Sequence, residues 1–154
     1  MNIWLFLWWC LYVLCAMVLQ QQVPGLDALA PGFLLALQQG KPWQTAWLFL
    51  VFCIIQEGAG SLMFGNAMLW YGGTILLFRL SAKLFVADNL LFVIVLSASM
   101  GLYHIFLTWL MCSVQDIAIS YMELVEQGIQ HSVTIPLIWG LAYLLRPAAM
   151  RHVN

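Results

Sequence analysis

Charge is what this sequence lacks most. Lysine, arginine, aspartate and glutamate make up 7% of its 154 residues, where a soluble domain carries roughly 25%. Hydrophobic residues make up 64%. So few polar groups cannot cover a water-exposed surface, and the composition predicts an integral membrane protein. Alternation of apolar and polar residues is also missing. The apolar runs are continuous, which excludes barrel strands and leaves helices, the other structure that satisfies its own backbone in lipid. A net charge of −1 gives nucleic-acid binding no electrostatic footing.

No lysine or arginine precedes the first apolar run, and Ala28-Leu29-Ala30 is followed by Pro31, which disfavours cleavage. Cys15 follows Leu14, where a lipoprotein signal needs a small residue. Met1 to Gln20 is therefore expected as a retained span. Cys10, Cys15, Cys53 and Cys112 all fall in apolar runs without a CxxC pair, and they read as small apolar side chains.

What is present is a series of apolar segments with polar breaks. The first runs from Ile3 to Leu19, with Trp4, Trp8 and Trp9 near its start, and Pro24-Gly25 turns the chain after it. The second, Leu26 to Leu37, is short for a span of roughly 20 residues. Gly40-Lys41-Pro42 closes it, with Pro42 suited to the first turn of the next helix. Further segments are expected at Trp43 to Ile55, Leu62 to Leu80, Asn89 to Cys112 and Ser132 to Leu145, the last with Pro136 near its start. Between the final two lies residues 115–130. There Asp116, Ser120, Glu123 and Gln127 recur at helical spacing opposite Ile117, Tyr121, Leu124 and Val125. This predicts an amphipathic periplasmic segment, flat on the interface or extending the fifth span.

Six spans with both termini in the cytoplasm put Lys41, Arg79, Lys83, Arg146 and Arg151 inside. They put Asp27, Glu57, Asp116, Glu123 and Glu126 outside, so that all five basic residues fall inside and none outside, in line with the positive-inside tendency. Merging the second and third runs would scatter the basic residues to both sides. Five spans follow if 26–37 is only interfacial. The expected fold is an all-α integral membrane protein, one compact bundle over residues 1–154.

Catalytic signatures are missing as well. There is no Gly-x-Ser-x-Gly elbow, no His-Glu-x-x-His and no cysteine with a histidine at helical spacing. His104 and His131 raise a bis-histidine haem, but the expected spans place His131 at the outer interface and His104 about 12 Å deeper, which argues against it. No cofactor or metal is expected. Gln56-Glu57-Gly58-Ala59-Gly60-Ser61, followed by Gly65, puts a carboxylate and closely spaced small residues between two spans, which reads as a bend and a docking point. Ser61-x-x-x-Gly65 and Ser97-x-x-x-Gly101 follow the small-xxx-small pattern of close helix packing, within the chain or with a partner. Asp116 and Glu123 are candidates for a periplasmic contact, and Glu57, Trp70 and His104 for a polar cavity.

The order of motifs resembles the bacterial rod shape-determining protein MreD family. The residues that carry it are Pro31-Gly32-Phe33-Leu34-Leu35-Ala36-Leu37, the Gly40-Lys41 break, Gln56-Glu57-Gly58, Phe64-Gly65, Thr134-Ile135-Pro136-Leu137 and Leu144-Leu145-Arg146. Glu57 stands where that family tends to have aspartate. The resemblance implies a non-catalytic scaffold of the cell-elongation machinery in the bacterial inner membrane. Its partners would be a bitopic MreC-like protein, an MreB-like filament, and a RodA-type polymerase paired with a class B penicillin-binding protein. The alternative is a small-molecule transport component, such as the substrate-binding membrane subunit of a vitamin importer.

Overall fold

The computed structural model of the chain describes residues 3–59, 65–84 and 89–146. It is all-α, with six helices: α1 (Ile3–Gln22), α2 (Ala30–Gln38), α3 (Pro42–Ala59), α4 (Asn66–Ser81), α5 (Leu90–Val114) and α6 (Tyr121–Leu144). Two of them, α1 and α5, are long and apolar enough to cross a membrane. The others are short, as α2 and α4 are at 9 and 16 residues, or carry polar side chains, as α3 and α6 do.

Local chemistry sets the boundaries. Asp27 accepts the backbone N–H groups of Leu29 and Ala30 and so starts α2, and Pro31 occupies its first turn, where a missing N–H costs nothing. Gly40, in the left-handed region at φ 63°, ends α2, and Pro42 opens α3 at once. Asn89 caps α5 by accepting the Leu91 N–H. Ser120 caps α6 by accepting the Glu123 N–H, the first half of a Ser-x-x-Glu capping box.

That last cap corrects the expected layout. Residues 115–130 do not form a separate amphipathic segment. Asp116, at φ 55°, turns the chain after α5, and residues 121–130 are the first turns of α6. The polar stretch extends the sixth helix instead of the fifth. Pro136 consequently sits well inside α6, two turns before its end.

The short α2 is the centre of the bundle. Seven of its nine residues, Ala30 to Ala36, are buried. It packs against α3, α4 and α6, and Phe33 meets Phe49, Phe52 and Tyr71. Gly32 is a close approach, because a side chain there would occupy the place of the Tyr12 ring from α1. Tyr12 in turn donates to the Ala28 carbonyl at 2.7 Å. The tightest pairing is α5 with α6, where Gly101 and Gly128 bring the two backbones together.

The helices alternate in direction. The C-terminal ends of α1, α3 and α5 meet the N-terminal ends of α2, α4 and α6 around one cavity. At the opposite end, the Trp8 indole donates to the Leu145 carbonyl and Trp139 to the Gln38 side chain.

Candidate functional site

Among the described residues, the most connected polar group is Asp27. Its side chain is 7% exposed, yet six donors converge on it. Oδ1 accepts from the Leu29 and Ala30 backbone at 2.9 and 3.1 Å, from Gln56 at 2.8 Å, and from Gln20 and Tyr71 at 3.3 Å. Oδ2 accepts from the Trp70 indole at 2.6 Å and the Tyr71 hydroxyl at 3.2 Å. A buried carboxylate is costly unless its lone pairs are filled, and here α1, α3, α4 and the start of α2 all supply donors. One side chain thus ties four helices at the same end of the bundle.

Glu57 does a similar task at shorter range. Its carboxylate accepts the Gly65 N–H through both oxygens at 3.0 Å and the Ala67 N–H at 2.8 Å. These are orphan donors at the start of α4, where the helix dipole favours negative charge. Gly65 holds φ 103°, which a side-chain-bearing residue rarely adopts. The connection between α3 and α4 is therefore closed by a cap. Glu57→Gln is expected to lower stability by about 1–2 kcal/mol, from a weakened cap and a lost dipole interaction, read as a drop in melting temperature in detergent. Gly65→Leu is expected to lower it through backbone strain, so neither substitution isolates a docking role.

Beside Asp27 and Glu57 lies a cavity of about 780 Å³ between the helix ends. Glu57, Trp70 and His104 all line it, together with Gln20, Asp27, Asn66, Glu123, Gln127 and His131. The aromatic side of the cavity is built in layers. Trp70 stacks on Tyr103 at 5.8 Å with an interplanar angle of 5°, and both histidine rings meet it nearly edge-on. Tyr103 covers Gly73 and donates to the Leu69 carbonyl at 2.8 Å.

His104 and His131 are stacked on each other at 3.9 Å, tilted by 22°. The expected difference in depth between them is wrong. Because α6 begins at Tyr121 and not at Ser132, His131 lies in the helix interior, level with His104. His131 Nδ1 donates to the Gln127 carbonyl at 2.8 Å, and His104 Nδ1 lies 3.5 Å from the Thr108 hydroxyl. Rings in van der Waals contact leave no gap for a macrocycle between them. Among the described residues no group of three or more metal-ligating side chains comes together.

The remaining expected partner-binding residues are scattered. Ser97 is fully buried and donates to the Val93 carbonyl, and Gly101 is covered by Ser132 and Gly128 of α6. The chain itself thus occupies the face expected for a partner at Ser97 and Gly101. Gln56 is half-buried and spent on Asp27. Gly58 is exposed, with open space where a side chain would stand. Asp116 is exposed at the turn after α5, and Glu123 is exposed at the cavity's edge. Gly60 and Ser61 lie outside the described residues, as does Phe64 of the motif at 56–65.

Sequence reasoning missed Asp27, Gln20, Tyr71 and His131 as site residues. Two signals were available. Asp27 stands four residues before Pro31 at the head of an apolar run, a helix-start pattern. Ser120-x-x-Glu123 marks the start of α6 and so the level of His131. Nothing in the sequence announces that Gln20, Gln56, Trp70 and Tyr71 converge on one carboxylate.

The fold and the site define an all-α protein with a charge-lined cavity at one end of its bundle. No family model matches the chain, and neither a curated protein nor a solved structure matches it.

Proposed function

We propose that this chain is a multi-pass, non-catalytic scaffold subunit of a bacterial inner-membrane assembly of the MreD kind, with six passes and both ends in the cytoplasm. The observation that carries the reading is the hydrogen bonding of Asp27 and Glu57. Both carboxylates are filled by neutral donors that hold helices in place, so the two acids next to the cavity's core act as architecture and not as reagents. Two further facts support it. The alternation of helix direction puts Lys41, Arg79, Lys83 and Arg146 at the end of the bundle opposite the cavity, in line with the positive-inside tendency for an inner face. The resemblance at residues 31–37, 56–58 and 134–137 points to cell elongation, where such a subunit would recognise the transmembrane helix of a bitopic MreC-like protein.

The test uses Gly58 and Gly72, positions where an added Cβ meets nothing within 4 Å among the described residues. Capture of the MreC-like partner in mild detergent is expected to fall about tenfold for Gly58→Leu or Gly72→Leu, with an unchanged melting temperature. Capture equal to that of the parent for both variants, or no capture by the parent, would overturn the scaffold reading.

A second reading is favoured by the cavity. A volume of about 780 Å³ lies within the range of roughly 300–1,000 Å³ typical of ligand pockets. On this reading the chain is the substrate-binding membrane subunit of a small-molecule importer, and Trp70, His104 and Glu123 line the binding chamber.

A further inference from the structure

At the end of the bundle away from the cavity, two cations stand without a counter-ion. Lys41 lies in the turn between α2 and α3, and Arg146 follows the last residue of α6 by two. Both are half-buried, and neither has a carboxylate partner among the described residues. Asp27, Glu57, Asp116, Glu123 and Glu126 belong to the cavity end, and Asp88 lies outside the described residues. These cations are not loose surface charges. The Arg146 guanidinium lies 3.6 Å over the Tyr143 ring. Tyr143 packs on Trp139 at 4.9 Å, and the Trp139 indole donates at 2.8 Å to Gln38, three residues before Lys41. A guanidinium laid on a ring keeps the N–H groups of its edge free for an anion. Beside Lys41, α3 opens at Pro42 with no acid in its first turn, so the positive end of its dipole is uncompensated. Apolar groups surround the charge: Trp43, Leu141, Leu144 and Leu145 are all exposed. Trp8, hydrogen-bonded to the Leu145 carbonyl, adds an indole at the same level, as helix ends in the headgroup layer favour.

We propose that this rim binds an anionic phospholipid such as phosphatidylglycerol. Arg146 and Lys41 receive the headgroup phosphate, and the acyl chains run down the apolar side chains next to them. Cations held against aromatic rings and edged by exposed leucines fit an amphiphile, whose charge and apolar body arrive together. A soluble anion would leave the leucines bare, and an acidic protein segment would have to enter the headgroup layer to reach a half-buried guanidinium. The inference rests on the multi-pass placement proposed above, which sets this end at the cytoplasmic face, where basic residues meet anionic lipid.

The experiment offers the full chain in detergent equal amounts of phosphatidylglycerol and phosphatidylcholine and counts retained lipid by native mass spectrometry. Phosphatidylglycerol is expected to be retained in preference. Arg146→Gln and Lys41→Gln are each expected to weaken it about fivefold, the scale for one basic residue at an anionic surface. Tyr143→Leu keeps every charge but removes the ring under Arg146, and is expected to weaken retention, while Tyr143→Phe restores it. Arg79→Gln is the control, since Arg79 is an exposed cation at the end of α4, and it is expected to change nothing. Circular dichroism of each variant checks that the fold is kept. Equal retention of the two lipids overturns the inference. A loss for Arg79→Gln as large as for Arg146→Gln reduces the effect to general charge and overturns the site. Displacement of the lipid by glycerol 3-phosphate or polyglutamate at matching concentration assigns the rim to a soluble anion or an acidic protein, and overturns the lipid. Carbonate extraction separates the two readings. A chain released from membranes by carbonate overturns the multi-pass placement and this inference together. A chain that stays in the membrane without preferring phosphatidylglycerol overturns the inference alone.

Discussion

Asp27→Ala is expected to lower the melting temperature of the detergent-solubilised protein by roughly 6–20 °C, the largest effect of any single polar substitution in the chain. The estimate comes from what is left behind. Trp70 Nε1 and the Tyr71 hydroxyl are buried and point at the carboxylate, and Leu29 and Ala30 lose the acceptor that starts α2. Each buried donor left unsatisfied costs about 1–3 kcal/mol. Removing a buried carboxylate also relieves its desolvation, which offsets part of this loss. With six donors converging, the unsatisfied groups outweigh the relief by about 3–5 kcal/mol. Asp27→Asn keeps one acceptor oxygen but turns an N–H₂ toward donors, so it is expected to lose about half as much. An alanine variant that melts within about 2 °C of the parent would show that the knot of hydrogen bonds contributes little net stability.

The same residue shows where the sequence was legible and where it was not. The composition and the breaks at Pro24-Gly25 and Gly40-Lys41-Pro42 mark six helical segments, and the helices occur there, with ends shifted by up to four residues except at the start of α6. Caps and prolines are local, so they are readable from adjacent residues. The shortness of the second segment was also visible. Its consequence was not, because burial of Ala30 to Ala36 depends on four other helices closing around them. Tertiary convergence is the general obstacle. Asp27 meets Gln20, Gln56, Trp70 and Tyr71 across separations of up to 44 residues, and no spacing rule encodes that meeting. The stacking of His104 on His131 failed for a different reason, since a helix start placed eleven residues late put the second ring at the wrong depth. The small-residue pattern at Ser97 and Gly101 was legible as a close contact, but not as one made by the chain with itself.

That contact carries the second large expectation. At Gly101 a Cβ would stand 2.5 Å from the Gly128 carbonyl oxygen and would collide with the Ser132 hydroxyl. The hydroxyl can rotate at the expense of its 2.9 Å bond to the same carbonyl, but the backbone of α6 cannot yield without moving the helix. Overpacking of this kind costs about 1–3 kcal/mol. Replacing a helical glycine by alanine returns about 0.5–1 kcal/mol of intrinsic preference. Gly101→Ala is therefore expected to destabilise by about 1–2 kcal/mol, and Gly101→Leu by more, with α5 and α6 pushed apart. Gly140 is the internal control. It lies in α6 with nothing near the position of its missing side chain, so Gly140→Ala is expected to stabilise by up to about 1 kcal/mol. The two alanine variants should thus shift the melting temperature in opposite directions. Gly101→Ala combined with Ser132→Ala removes one of the two collisions and is expected to recover part of the loss. Because His104 stands on α5 and His131 on α6, Gly101→Leu is also expected to separate the stacked rings and weaken any ligand held against them. Equal melting of the Gly101→Ala and Gly140→Ala variants would mean that α5 and α6 do not approach as closely as their glycines allow, and the ring wall of the cavity would lose its support with them.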